Sequence, residues 1–475
     1  MKFGVNNLGS IKKASIDVGD LTIICGKNNS GKSYLTYALY SFLHTVAMNL
    51  SLPISDKFFN LLVKEGFAVI SAKDYWPEKI NQEFQNTISH FISFIPKALA
   101  IQSSNIKPDI AFEVSIGEDN FKSFIQSKFS MSAQVTEKCR ILAEKDANTH
   151  NIRFTLKNLG QRLPNKETLK ENVIGLFSFC VGKKVIDDVF AISSERTGVF
   201  LFAQELHIII QDYLSKNKKE IEKTLIEDSE EKDTKSVPYP LPIMEEINFA
   251  SLFKLKMIVK RESFIMKEHP EILKAFDDLV NGQFKVDDYL GIQYIVQDEK
   301  VKPLSLSECS SSVKSLVELN FYLRHCARKG QILMIDEPEL NLHPYNQRKL
   351  ARLLAMLVNA GIKLFITTHS DYIVREIDFM TRLFENKKLA QELGYKINQL
   401  LDSSRIKSYI TQPISDSLQF ELKEIKIGKE VGVESTSFDS SIEEMNLIQQ
   451  AIQFGEVPSN DDFTFIQESS EEHQK

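Results

Sequence analysis

The chain has 475 residues, 43% of them hydrophobic, which is enough to bury at least one full core across two to three structural units and excludes a disordered tail or a small stapled domain. A formal net charge of −6 excludes a surface that is basic overall, so any contact with DNA has to be a local patch. Cys25, Cys139, Cys180, Cys309 and Cys326 lie far apart, with no CxxC pair and no histidine at zinc-ligand spacing; no apolar run approaches the roughly 18 residues of a membrane span. A cytoplasmic protein without a membrane partner is the expectation.

In chain order, Leu21–Cys25 is a short apolar β-type run, and a helical pattern starts at Ser33. Between them, Gly26-Lys27-Asn28-Asn29-Ser30-Gly31-Lys32-Ser33 fits GxxxxGK[ST] at every fixed position, in the strand–loop–helix context that the motif requires. The glycines let backbone N–H groups of Asn28, Asn29, Ser30 and Gly31 wrap a phosphate. Lys32 can neutralise β- and γ-phosphate oxygens, and the Ser33 hydroxyl can ligate Mg²⁺. ATP with Mg²⁺ is therefore the expected ligand.

From about 45 to 290 the chain reads as mostly helical, with strand-like segments at 110–116 and 152–156 and a charged, proline-rich stretch at 227–242 that suits an exposed loop. The α/β pattern resumes at 291. It predicts a strand over 291–297, a helix over about 311–328, a strand over 331–335, a helix over 345–359, a strand over 363–367 and a helix after Asp371. Strands are expected near 419–427, followed by a frayed acidic tail. The fold class is α/β. Residues 1–45 and 291–380 form a nucleotide-binding head, 46–290 a large, mainly helical insertion, and 381–475 a C-terminal α/β extension.

Three further segments carry chemistry. The apolar run Ile332–Ile335 ends in Asp336 and Glu337; Asp336 would hold Mg²⁺, and Glu337 would orient or deprotonate an attacking water. His369, in Thr367-Thr368-His369-Ser370, stands at the C-terminal end of the next strand, where ligands bind in parallel α/β sheets, and can sense a γ-phosphate. Ser310, Ser311 and Ser312 open a helix just before the acidic strand. Two readings stand for them: a signature presenting donors to ATP on a second subunit, or a plain helix cap.

The order of phosphate loop, long insertion, degenerate signature, Asp336–Pro344 and Thr367–Ser370 resembles the OLD-like and RecF/SMC-like branch of ABC-type P-loop ATPases. The resemblance covers about 130 residues. It implies a head assembled from N- and C-terminal segments, an insertion that meets partners, and a head-to-head dimer across which Asn341–Pro344 faces its counterpart. Ser193–Gly198 is similar to a serine/glutamate/arginine/glycine segment in the insertion of such ATPases, where Arg196 either reaches the nucleotide or forms a surface salt bridge. Size and pattern are most similar to the stand-alone ATPase subunits of antiphage systems, such as AriA of PARIS and PtuA of Septu. This implies a sensor or scaffold controlling a separately encoded nuclease or toxin effector and released by a phage trigger protein. No nuclease site is visible after Met380. The alternative is a RecF/SMC-like ATPase that clamps DNA in repair or chromosome maintenance, for which Lys12 with Lys13, Lys183 with Lys184, and Lys216 with Lys218 and Lys219 are the candidate basic clusters.

Overall fold

The computed structural model describes residues 1–115, 117–158, 163–203, 205–212, 239–254, 261–287, 291–297, 302–414 and 417–425. The expected acidic tail lies outside these residues, as does most of the 227–242 stretch; Leu241 already opens a helix, Leu241–Lys254.

Sixteen strands are described. β1 (Lys2–Leu8) and β2 (Ile11–Asp17) form a hairpin, and β3 (Leu21–Cys25) precedes the phosphate loop. β4 (Phe67–Ser71), β5 (Ala111–Ser115), β6 (Phe129–Thr136), β7 (Cys139–Lys145), β8 (Asn151–Asn158) and β9 (Val189–Ile192) follow within 46–290. β10 (Gly282–Asp287), β11 (Gly291–Val296), β12 (Leu304–Ser305), β13 (Ile332–Asp336), β14 (Lys363–Thr368), β15 (Ile406–Pro413) and β16 (Phe420–Ile425) complete the set.

The main sheet has nine strands in the order β5-β1-β2-β16-β15-β3-β14-β13-β9. Its centre is parallel: β3 is flanked by β14 and β15, and β13 by β14 and β9. Every residue of β3 and of β13 is buried, as expected for strands covered on both faces, and this explains their unbroken apolar runs. Helix α1 (Lys32–Asn49) leaves the phosphate loop and buries Leu35, Ala38, Leu39, Phe42, Leu43 and Val46. Because both ends of the chain supply strands to this sheet, the α/β head assembled from distant segments is what the structure contains.

The stretch 46–290, expected to be mainly helical, contains the helices Asp56–Glu65, Glu78–Ala98 and Lys166–Val185, but also supplies both edges of the main sheet, β5 and β9. It further builds a four-stranded antiparallel sheet, β4-β8-β7-β6. The strand-like segments expected at 110–116 and 152–156 are β5 and β8, and β7 alternates between buried and less buried positions beside β8. Segment 291–297 is a strand, as expected, but not in the nucleotide-binding sheet. β11 lies in a separate three-stranded antiparallel sheet, β10-β11-β12, where Ile292 and Tyr294 alternate inward. The helix expected over 311–328 is broken into Ser311–Ser315, Val317–Phe321 and a π-helical turn, Tyr322–Cys326. β15 was not expected from the sequence, and it runs directly beside β3. No helix among the described residues is long and apolar enough to cross a membrane.

Candidate active site

The loop after β3 takes its shape from its glycines and Asn29. Gly26, Asn29 and Gly31 all have positive φ, at 149°, 61° and 88°. At Gly26 a β-carbon would collide with Thr411 Oγ1, and at Gly31 one would come within 2.6 Å of Ser10 Oγ. Only glycine fits where β15 and the β1–β2 turn press so closely on the loop. Ser30 Oγ donates to Lys27 O at 2.8 Å, and Thr411 Oγ1 donates to Ser30 Oγ at 2.8 Å from the far end of the chain. The Lys32 ammonium donates to Gly26 O and Lys27 O at 2.9 and 2.8 Å. Burial lowers its pKa, while Glu337 and Asp336 oppose that shift and favour the charged form.

The end of β13 faces this loop. Asp336 is 1% exposed; one carboxylate oxygen accepts from Thr367 Oγ1, and the other, Oδ2, is buried without a protein partner. Burial raises the pKa of Asp336 against the hydrogen bonds of Thr367 and Ser33, which favour the carboxylate. A buried carboxylate oxygen with no partner beside a serine hydroxyl is the donor set a hard divalent cation uses when phosphate oxygens complete its shell. Among the described residues there is no cluster of three or more His, Cys, Asp or Glu that could hold a metal by itself. The residues present thus fit Mg²⁺ held jointly with a phosphate.

Glu337 stands next to Asp336 but turns elsewhere. Its φ is 50°, in the left-handed region that costs a non-glycine residue roughly 1–2 kcal/mol. Its N–H donates to Thr367 O at 3.1 Å and its carbonyl accepts from Arg196 Nη2 at 2.8 Å, so bonds on both sides impose the turn. Its carboxylate meets His369 Nδ1 at 3.3 Å. The hydrogen bond to His369 lowers the Glu337 pKa, and the same bond raises that of His369. Glu339, within the Asp336–Pro344 segment but assigned no role from the sequence, orders this pair: its Oε1 accepts from Thr368 Oγ1 at 2.7 Å and from the His369 N–H at 2.8 Å.

Arg196 neither reaches into the cavity nor forms a surface salt bridge. It is 3% exposed and donates to Ser315 O at 3.0 Å, Ser193 O at 2.8 Å, Asp336 O at 2.9 Å and Glu337 O at 2.8 Å. Both alternatives read from the sequence give way to a buried clamp on the backbone of the acidic pair. Two buried carboxyl groups, Glu246 and Glu318, favour its charge.

One cavity of about 780 Å³ brings together Asn28, Asn29, Ser30, Gly31, Lys32, Ser33, Glu337 and His369. Ser310, Ser311 and Ser312 are not among its lining residues. Locally they form a cap: Ser310 Oγ accepts from Val313 N at 3.4 Å and lies 2.9 Å from Ser312 Oγ. Of the basic clusters, Lys12 and Lys13 are exposed on β2, Lys183 meets Asp188 at 3.4 Å, and Lys216, Lys218 and Lys219 lie outside the described residues.

A family model described as an AAA ATPase domain matches residues 1–374, which span the phosphate loop, Asp336, Glu337 and His369. Among solved structures, an SMC head bound to the C-terminal winged-helix domain of ScpA is similar at 11% identity, over 90% of this chain and 97% of that one, with a TM-score of 0.36. An SMC head domain from Thermotoga maritima is similar at 10% identity, over 90% and 98%, with a TM-score of 0.31. A Pyrococcus furiosus SMC head with an extended coiled coil, bound to the C-terminal domain of ScpA, gives 12%, 94%, 98% and 0.33. No curated protein matches the sequence.

Proposed function

Because the chain belongs to the AAA ATPase domain family, whose model covers residues 1–374, we propose that it binds and hydrolyses Mg²⁺–ATP and that pairs of heads close on the nucleotide. The observation that carries this reading is the buried, unpartnered Asp336 Oδ2 beside Ser33, which lines the cavity together with Lys32 and Glu337. In this reading the loop N–H groups and Lys32 hold the phosphates, and Ser33 with Asp336 would hold Mg²⁺, which would supply positive charge to offset that of the phosphates. Glu337, kept ionised by His369, accepts a proton from the attacking water, and His369 then meets the γ-phosphate. Ser310, Ser311 and Ser312 present donors to ATP on the partner head, and their cap geometry leaves Ser310 and Ser311 exposed for that role.

The proposed biological role is a cytoplasmic sensor and scaffold in antiphage defence, holding a separate nuclease or toxin effector until a phage trigger protein releases it. The resemblance of the motif order to stand-alone antiphage ATPase subunits supports it. Glu337→Gln keeps the shape and removes the base, so turnover should fall by about 10²–10⁴ with ATP still bound. That trapped protein, isolated from its native cells with and without ATP, should bring down a stoichiometric effector that a phage protein releases. Recovery of DNA alone, lost as salt rises, would replace the defence reading by DNA clamping. Undiminished turnover would remove Glu337 from the mechanism.

A further inference from the structure

The cavity that contains the phosphate loop continues onto a wall that none of the head motifs supplies. Beyond the loop, it is lined by the β1–β2 turn, by Tyr34 on the first turn of α1, and by Ile101, Asn105, Ile106 and Ile110. Those last residues belong to the segment that leaves helix Glu78–Ala98 and enters β5, inside 46–290. The segment is ordered by its own turns: Ile106 N donates to Ser103 O and Ile110 N to Lys107 O, both at 3.1 Å. It is also fastened to β1, because Asn7 Nδ2 donates to the Asp109 carboxylate at 2.6 Å.

Ile101, Ile106 and Ile110 are partly buried, packed against the core and lining the cavity. Tyr34 is 42% exposed at the same cavity. An apolar wall continuous with a phosphate site suits a ligand that is anionic at one end and flat and apolar at the other, since burial of a planar base against aliphatic and aromatic side chains is favourable and orientation comes from the phosphates. An inorganic phosphate chain would use the loop and leave this wall uncovered.

We propose that residues 101–110 form the nucleoside subsite, with Ile101, Ile106, Ile110 and Tyr34 against the base and ribose of a purine nucleoside triphosphate. The proposal rests on the reading of Gly26–Ser33 as the triphosphate site. The region expected to serve as a partner arm then touches the nucleotide itself, and the Asn7–Asp109 bond ties that contact to β1 of the main sheet.

The test uses the full chain with Mg²⁺ and two probes, ATP and inorganic tripolyphosphate, with affinities measured by titration calorimetry. Ile106→Asp should weaken ATP at least tenfold and leave tripolyphosphate within twofold, since only the base meets the wall. Unchanged ATP affinity in that variant overturns the subsite. Should Ile106→Asp lose both probes, Ile106→Ala decides by the same contrast: selective weakening of ATP supports the wall, and equal affinities for wild type and variant overturn it. A wild-type protein that binds neither probe overturns the underlying triphosphate reading instead.

Discussion

The phosphate loop and the Arg196 corner meet at one end of the same sheet, yet they are held by opposite means. Within the loop, Ser30 and Lys32 bond to carbonyls no more than 6 residues away. Arg196 reaches Ser315, Asp336 and Glu337 across 119, 140 and 141 residues. The first region's internal bonds are local, although Thr411 braces it from 381 residues away, and the second exists only when three distant segments are already packed. The chemistry of the site is therefore local, and its alignment is not.

The largest effect should come from breaking the distant corner. Arg196→Ala strips four backbone carbonyls of their donor, at about 1–3 kcal/mol for each buried group left unsatisfied, so the loss should reach at least about 3 kcal/mol. Urea unfolding followed by circular dichroism would register it; a shift below about 1 kcal/mol would mean that the corner does not hold the acidic pair. Lys32→Ala should act the other way, with little change in stability but a loss of about 1.5–3 kcal/mol in ATP binding, roughly 10- to 150-fold. Equal ATP affinity in that variant would erase the contrast between the two regions.

Smaller effects sharpen it. The His369–Glu337 pair is stabilising over a definite window. The raised histidine contributes fully below its ordinary value of 6.5 and loses that contribution as pH rises through its higher folded value. The lowered Glu337 contributes above its ordinary 4.5 and loses its contribution as pH falls through its lower folded value. His369→Gln removes the largest cause of the Glu337 shift, so the acid limb of the ATP hydrolysis profile should move to higher pH. An unmoved limb would detach His369 from the base. Thr411→Val deletes the hydroxyl contacts to Ser30 at 2.8 Å and to the Cys25 carbonyl at 3.4 Å, together worth about 0.5–1.5 kcal/mol, and should weaken ATP by about tenfold at most.

What the sequence disclosed divides along the same line. Gly26–Ser33, Asp336, Glu337 and His369 were legible because each lies at a strand end whose apolar run and polar terminus are contiguous; the structure brings Asn28–Ser33, Glu337 and His369 to one cavity end, with Asp336 buried beside Ser33. Arg196 was noticed but its partners were not, since backbone carbonyls leave no mark in a residue pattern. Glu339 was hidden inside the motif it serves. Thr411 gave no signal at all, as its meaning depends on β15 lying beside β3, a pairing across more than 380 residues. Within 46–290 the strands expected at 110–116 and 152–156 are present as β5 and β8, while shorter ones such as Val189–Ile192 went unread because they are too brief for periodicity to separate them from helix.

The place of β15 also sets an order of events during synthesis. β3 and its loop are made early, but the strand that backs them and supplies Thr411 is translated 381 residues after Ser30. At about 5–20 residues per second, roughly 20–75 seconds separate the two on the ribosome. For most of that interval β3 lacks both of its neighbours, β14 and β15, and a loop-closure cost of long range must be met before the sheet is whole. A nascent or prematurely ended chain thus displays the complete phosphate-loop motif without the strand that packs beside it.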